Sequence, residues 1–134
     1  MSRIRGRNTM PERIMWNLLR ELKSPPQRWT ALPGKPDFVF EDASVAVFVD
    51  GCFWHRCPRH LSKPKTNKAF WLTKFNNNVA RDLKVNQLLQ SIGWDVFRFW
   101  ECEIKKDPDS ILAKIKRILE SKLELIKDVR AMDL

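Results

Sequence analysis

A small mixed α/β domain, a short sheet flanked by helices, is the fold this sequence predicts. Three observations lead there. Residues 68–91 and 109–123 repeat apolar side chains at helical spacing. Short β-branched and aromatic runs, bounded by turn residues, lie between residues 37 and 50. The run 94–100 carries large apolar groups on both of its faces, as a strand covered on both sides does.

In chain order, residues 1–8 form a basic arm with Arg3, Arg5 and Arg7 on alternate positions. Thr9-Met10-Pro11-Glu12 reads as a helix start: Thr9 caps, Pro11 suits the first turn, and Glu12 sits where a capping-box acid belongs. Ile14, Met15, Leu18, Leu19 and Leu22 carry that helix to Ser24, where Pro25-Pro26 stops it. Residues 27–32 read as a short edge strand before the Pro33-Gly34 turn. Residues 37–40 and 44–50 read as a hairpin, and residues 58–68 as a basic, polar loop. The helix from Lys68 to Ser91 carries Leu72, Phe75, Val79 and Leu83 and stops at Gly93. In the strand 94–100, Trp94, Val96, Arg98 and Trp100 share one face, and Asp95, Phe97 and Phe99 the other. Asp109-Ser110 caps a last helix bearing Ile111, Ile115, Ile118, Leu119 and Leu123. The order is α-β-β-β-α-β-α in one domain of 134 residues, with residues 103–134 as a helical tail.

Twenty-five Lys and Arg against 16 Asp and Glu give a net charge of +9, which favours a polyanionic partner such as nucleic acid. A merely soluble basic protein has the same charge. No apolar run reaches membrane-spanning length, and the N-terminus lacks the apolar stretch of a signal peptide. Three cysteines cannot all pair with one another, and two lie beside histidines. That argues for a reducing cytoplasm and a metal site rather than a disulfide framework.

The chemistry concentrates in Gly51-Cys52-Phe53-Trp54-His55-Arg56-Cys57-Pro58-Arg59-His60. Cys52, Cys57 and His60 supply three soft ligands from one loop, and Cys102, just past the strand 94–100, supplies a fourth. Such a Cys3His set closes a structural zinc site; the alternative is buried free cysteines with surface histidines. His55 is then spare, either a structural hydrogen-bonder or a general base for water. Asp37 opens an apolar strand, where an acid is awkward unless it faces a ligand; otherwise it is a turn acid after Lys35-Pro36. Asp50 ends the neighbouring strand, so the two carboxylates could share an edge and hold Mg²⁺. Glu12 is either a capping acid or a third carboxylate brought close by its helix.

These residues also resemble a known family. Leu32-Pro33-Gly34-Lys35-Pro36-Asp37-Phe38, Val47-Phe48-Val49-Asp50-Gly51-Cys52-Phe53-Trp54-His55, Phe70-Trp71-Leu72 with Lys74, Asn78-Val79, Arg81-Asp82, Gly93-Trp94 and Trp100-Glu101-Cys102 closely resemble the very short patch repair endonucleases. Those enzymes nick DNA beside a thymine mispaired with guanine. The resemblance runs from about Ser2 to Cys102. It implies a restriction-endonuclease-like fold, duplex DNA with a T:G mismatch as substrate, and a monomer acting at the nucleoid, free of membrane contact and alongside other repair proteins. That superfamily's usual acid-x-Lys element reads Phe48-Val49-Asp50 here, without the lysine, and the resemblance implies that His55 serves instead. It further implies that Asp37 and the Val49 main-chain carbonyl bind Mg²⁺, with Glu12 near the ion's waters. Phe53, Trp54 and Trp71 would enter the base stack, with Lys74 and Asn78 on a face that reads exposed base edges. Asp50 stands where the type enzyme has histidine, and Asp82 falls on another family acid. In the zinc loop the order of Cys57 and His60 differs from the family's, and the N-terminal arm is shorter. Two rival readings are a zinc-stabilised nucleic-acid-binding module without catalysis and a related nickase without mismatch preference.

Overall fold

The computed structural model describes residues 9–28, 30–51 and 67–132, with side chains as far as Leu125. Its elements are α1 (Met10–Leu19), β1 (Phe38–Phe40), a 3-10 turn (Glu41–Ala43), β2 (Val45–Asp50), α2 (Lys68–Ser91), β3 (Asp95–Trp100), α3 (Glu101–Lys106) and α4 (Pro108–Met132). The sheet order is β1-β2-β3. β1 and β2 pair antiparallel through Phe38 opposite Val47, and β2 and β3 pair parallel from Val45 opposite Asp95 to Asp50 opposite Trp100. A parallel pair needs a long crossover, and α2 lies within it.

β2 is central and alternates between two cores. Val45 and Val47 join Met15, Leu19, Phe38, Phe40, Phe99, Ile104, Ile111 and Ile115, so α1, α3 and α4 cover one face. Ala46 and Phe48 join Leu89, with Leu32, Val85, Trp94 and Val96 around them, so α2 covers the other. Burying a large apolar side chain contributes roughly 1.5–3 kcal/mol. Among the described residues the first face therefore holds most of the apolar stabilisation, and α2 is the more lightly held layer. No helix among the described residues is long and apolar enough to cross a membrane.

The two faces of β3 are those expected: Phe97 and Phe99 pack with the first core, Trp94 and Val96 with the second. The strand's two charges have partners. Asp95 accepts from Lys122 of α4 at 2.7 Å, and Arg98 reaches across the opposite face.

Four expectations need correction. α1 ends at Leu19 rather than Ser24, closing in i→i+3 turns (Glu21 N–H to Leu18, Leu22 N–H to Leu19), because Pro25 disfavours helical geometry in the residue before it. Among the described residues of 27–32 there is no strand: Gln27 alone bridges Val39, since Pro25-Pro26 lack N–H groups and the chain turns at Leu32–Lys35. The strand order therefore loses one member. α3 was not anticipated; Glu103 accepts the Trp100 N–H at 2.9 Å and starts this extra helix. α4 is started by Asp107, whose carboxylate accepts the Ser110 N–H at 3.2 Å, rather than by Asp109-Ser110.

Gly34 has φ +79°, and its turn is closed by the Lys35 N–H to the Leu32 carbonyl at 3.0 Å. An added Cβ there would lie 2.4 Å from the Val85 side chain of α2. Only glycine fits.

Candidate active site

The Pro36-Asp37 step leads into β1, and the Asp37 N–H donates to the Val47 carbonyl at 3.0 Å. The Asp37 Oδ2 then accepts the Val49 N–H at 2.7 Å. A side-chain carboxylate thus replaces the backbone acceptor that a longer β1 would present. In an antiparallel ladder a residue directs its N–H and C=O toward the same neighbour. The Val49 carbonyl consequently belongs to the side of β2 on which Asp37 stands.

Two further acids bear on Asp37. Glu12 and Asp50 are each 5% exposed, and both raise its proton affinity. The Asp37 carboxyl is pushed up from 3.8 to about 7, chiefly by burial, then by the charges of Glu12 and Asp50; the Val49 N–H and Arg28 act in the opposite sense. Glu12 is not the partner of a capping box. Thr9 makes no side-chain cap, and its hydroxyl donates to the Glu12 carboxylate at 2.9 Å. Arg28 lies 3.7 Å from Glu12, with its guanidinium 5.4 Å from the ring centroids of Trp16 and Phe38.

The second cluster is on the α2 side. Arg98 Nη1 donates to Asp50 Oδ1 at 2.9 Å and lies 3.6 Å from Asp82, while Nε donates to Asn86 at 2.9 Å. Asp82 is therefore part of a partly buried ion pair and not merely a solvated helix acid. Sequence reasoning missed Arg28 and Arg98. The signal for Arg98 was a charge inside an apolar strand, two residues from the strand's end.

Among the described residues, no three His, Cys, Asp or Glu side chains form a set that could hold a metal ion. Mg²⁺ does not require one, since it keeps several waters and takes one or two carboxylates. A desolvated carboxylate raised by two neighbouring acids fits a divalent cation, which relieves that repulsion when bound. One consequence is measurable. Folded Asp37 holds its proton more tightly than the unfolded chain does, so its contribution to stability is lost as pH rises from about 4 to about 7. In metal-free protein the melting temperature should fall across that window, Asp37→Asn should flatten the fall, and added Mg²⁺ should offset it above pH 7. A melting temperature independent of pH and of Asp37 would contradict this.

On α2, Trp71 is half-buried, stacked on buried Phe75 at 6.0 Å and edge-on to Phe70 at 5.3 Å. Lys74 is exposed and Asn78 half-buried on the next turns. Phe70, Lys74, Asn77, Arg81 and Lys84 follow at i+3 and i+4 steps, all exposed, and make an aromatic-headed basic stripe. The sequence reading missed Asn77, Arg81 and Lys84 in this role, although the spacing was there to be counted. Cys102 is half-buried in α3. Cys52, Phe53, Trp54, His55, Cys57 and His60 lie outside the described residues.

Residues 1–60 match the family model described as DNA mismatch endonuclease Vsr. The type II nicking enzyme V.NmeDIP of Neisseria meningitidis serogroup C is 35% identical over 130 residues, covering 92% of this chain and 85% of that protein. The chain belongs to the Vsr family. Its small mixed sheet with flanking helices is accordingly the restriction-endonuclease-like fold expected from the sequence. Another Vsr-family relative, the type II nicking enzyme V.NaeI of Lentzea aerocolonigenes, is 53% identical over 73 residues, 54% of this chain and 44% of its own length. The DNA mismatch endonuclease Vsr of Escherichia coli K12 is 43% identical over 76 residues, 56% of this chain. That match spans 49% of the Escherichia coli protein, so the chain aligns with about half of these two relatives.

Proposed function

We propose that the protein is a Mg²⁺-dependent DNA endonuclease that nicks duplex DNA at T:G mismatches, of the kind left when 5-methylcytosine deaminates. The observation that carries this reading is the Asp37 carboxylate, desolvated and raised to about 7 beside Glu12 and Asp50, at the head of a strand in a Vsr-family chain. The basic stripe of α2 and the net charge of +9 support a DNA partner. The protein acts as a monomer in the cytoplasm, at the nucleoid, without a membrane.

Asp37 and the Val49 carbonyl would hold Mg²⁺, which when bound neutralises charge on the scissile phosphate and makes water a better nucleophile. His55 takes the proton of the attacking water. Glu12, kept in place by Thr9 and Arg28, orients water beside Asp37. Cys52, Cys57, His60 and Cys102 would hold a structural Zn²⁺ that pins the loop carrying His55. Phe53, Trp54 and Trp71 enter the base stack beside the mismatch, where unstacking costs least. Lys74 and Asn78 follow Trp71 on α2 toward exposed base edges.

A second reading, a nickase without mismatch preference, is favoured by the relatives whose names specify nicking and no mismatch. Nicking rates on otherwise identical T:G and T:A duplexes, with and without Mg²⁺, separate the two. T:G duplex should be cut in preference and only with the metal; equal cutting would establish the second reading. Trp71→Ala should narrow the T:G preference at least tenfold while costing about 1–3 kcal/mol or less of stability, because the residue is half-buried. A large fall in melting temperature with unchanged preference would make Trp71 a core residue.

A further inference from the structure

We propose that Arg98 donates from Nη2 to a non-bridging oxygen of the scissile phosphate and supplies positive charge as the phosphate is attacked. This assignment rests on the endonuclease reading. Attack of water on a phosphodiester adds negative charge to the non-bridging oxygens, and a fixed donor aimed at that charge is worth most in a partly desolvated site. The described site is rich in acids: the charges of Glu12 and Asp50 both bear on Asp37, and β2 ends in Phe48-Val49-Asp50 without a lysine. Arg28, one candidate cation, is only 10% exposed at its side chain and lies against Glu12.

Arg98 is placed differently. It sits opposite Phe48 in the β2–β3 register, its guanidinium lies 4.0 Å from the centroid of the Phe48 ring, and its side chain remains 17% exposed. Asp50, one residue beyond the Val49 that donates to Asp37, accepts from Nη1; Asn86 accepts from Nε. Among the described residues these contacts leave Nη2 outside the network. Aromatic contact, two hydrogen bonds and the nearby Asp82 therefore fix the plane of the guanidinium and hold one N–H edge ready. A planar fork anchored at two nitrogens can present the third without reorganising, which a lysine ammonium cannot do. Because Asp50 and Asp82 offset its charge, a plain alternative is that Arg98 only neutralises those acids.

The experiment separates these roles. Single-turnover nicking of T:G duplex is measured for wild type, Arg98→Met, Arg98→Lys and the Arg98→Met/Asp50→Asn double variant. The slope of log Kd against log salt is measured for the same four proteins without divalent metal. Arg98→Met should slow nicking by about 10²–10³-fold and reduce the salt slope by about one phosphate contact. The double variant should stay slow, although it leaves no Asp50 carboxylate deprived of its arginine. Recovery of the double variant to within a few fold of wild type would overturn the proposal and make Arg98 a neutraliser of Asp50. If melting shows Arg98→Met unfolded, Arg98→Lys decides: it keeps the charge, and a rate within threefold of wild type would overturn the assignment. If wild type leaves the duplex uncut, the endonuclease reading fails by itself; a salt slope unchanged by Arg98→Met would then overturn the phosphate contact as well.

Discussion

Asp37→Asn should slow nicking by on the order of 10³-fold or more, since the charge stabilisation a metal provides is worth several kcal/mol, and yet should leave the protein at least as stable. The two halves of this expectation come from the same geometry. The aspartate carboxyl is raised to about 7 because burial and two acids disfavour its ionised form, so above that pH the charge is a cost to folding. Asparagine keeps an oxygen for the Val49 N–H now satisfied at 2.7 Å and removes the repulsion. His55→Ala should also abolish nicking, with mismatch binding retained in both variants. Nicking rates and melting curves at pH 8 check this together. An Asp37→Asn protein that nicks normally, or one that is inactive only because it unfolds, would return Asp37 to the role of a turn acid.

Cys102→Ala and Cys57→Ala should each release one zinc per chain and lower the melting temperature. The β2–β3 register pairs Asp50 with Trp100, and in the sequence Cys52 and Cys102 each come two residues after those positions. A zinc ion present at a thousandfold its dissociation constant contributes about 4 kcal/mol to folding, which corresponds to a loss on the order of 10 °C for a domain of this size. Elemental analysis gives the metal content, and calorimetry of the purified variants gives the shift. Wild-type protein purified without zinc, melting where Cys102→Ala melts, would make these ordinary thiols.

What could be read in the sequence follows from how local each signal is. α2 was legible from Lys68 to Ser91, because Leu72, Phe75, Val79 and Leu83 recur at helical spacing and Gly93, at φ +90°, ends it, although of those four only Phe75 is buried. β3 was legible to its faces, since Phe97 and Phe99 alternate with Val96 and Arg98. α3 was not, because its start depends on Glu103 reaching the Trp100 N–H, and six residues are too few for a periodic signal. The bridge at Gln27 needed knowledge of where the partner Val39 lies. In the site, Asp37 could be singled out because an acid at the head of an apolar strand is locally anomalous. Arg98 is anomalous by the same measure, but its acceptors lie 48 residues away at Asp50 and 12 away at Asn86. No spacing rule connects such positions; only the parallel register does.

The Asp50–Arg98 pair also constrains the ancestry of the sequence. With their side chains 7% and 17% exposed, losing either partner removes the closest opposite charge in a poorly hydrated place, and breaking a buried pair costs about 3–5 kcal/mol. Whole domains have margins of only about 5–15 kcal/mol. A lineage that alters one position therefore faces a valley unless the other changes with it or some stabilising substitution arrives first. Positions 50 and 98 should change together, and transplanting either residue alone into a relative should carry a penalty unrelated to the chemistry of the donor.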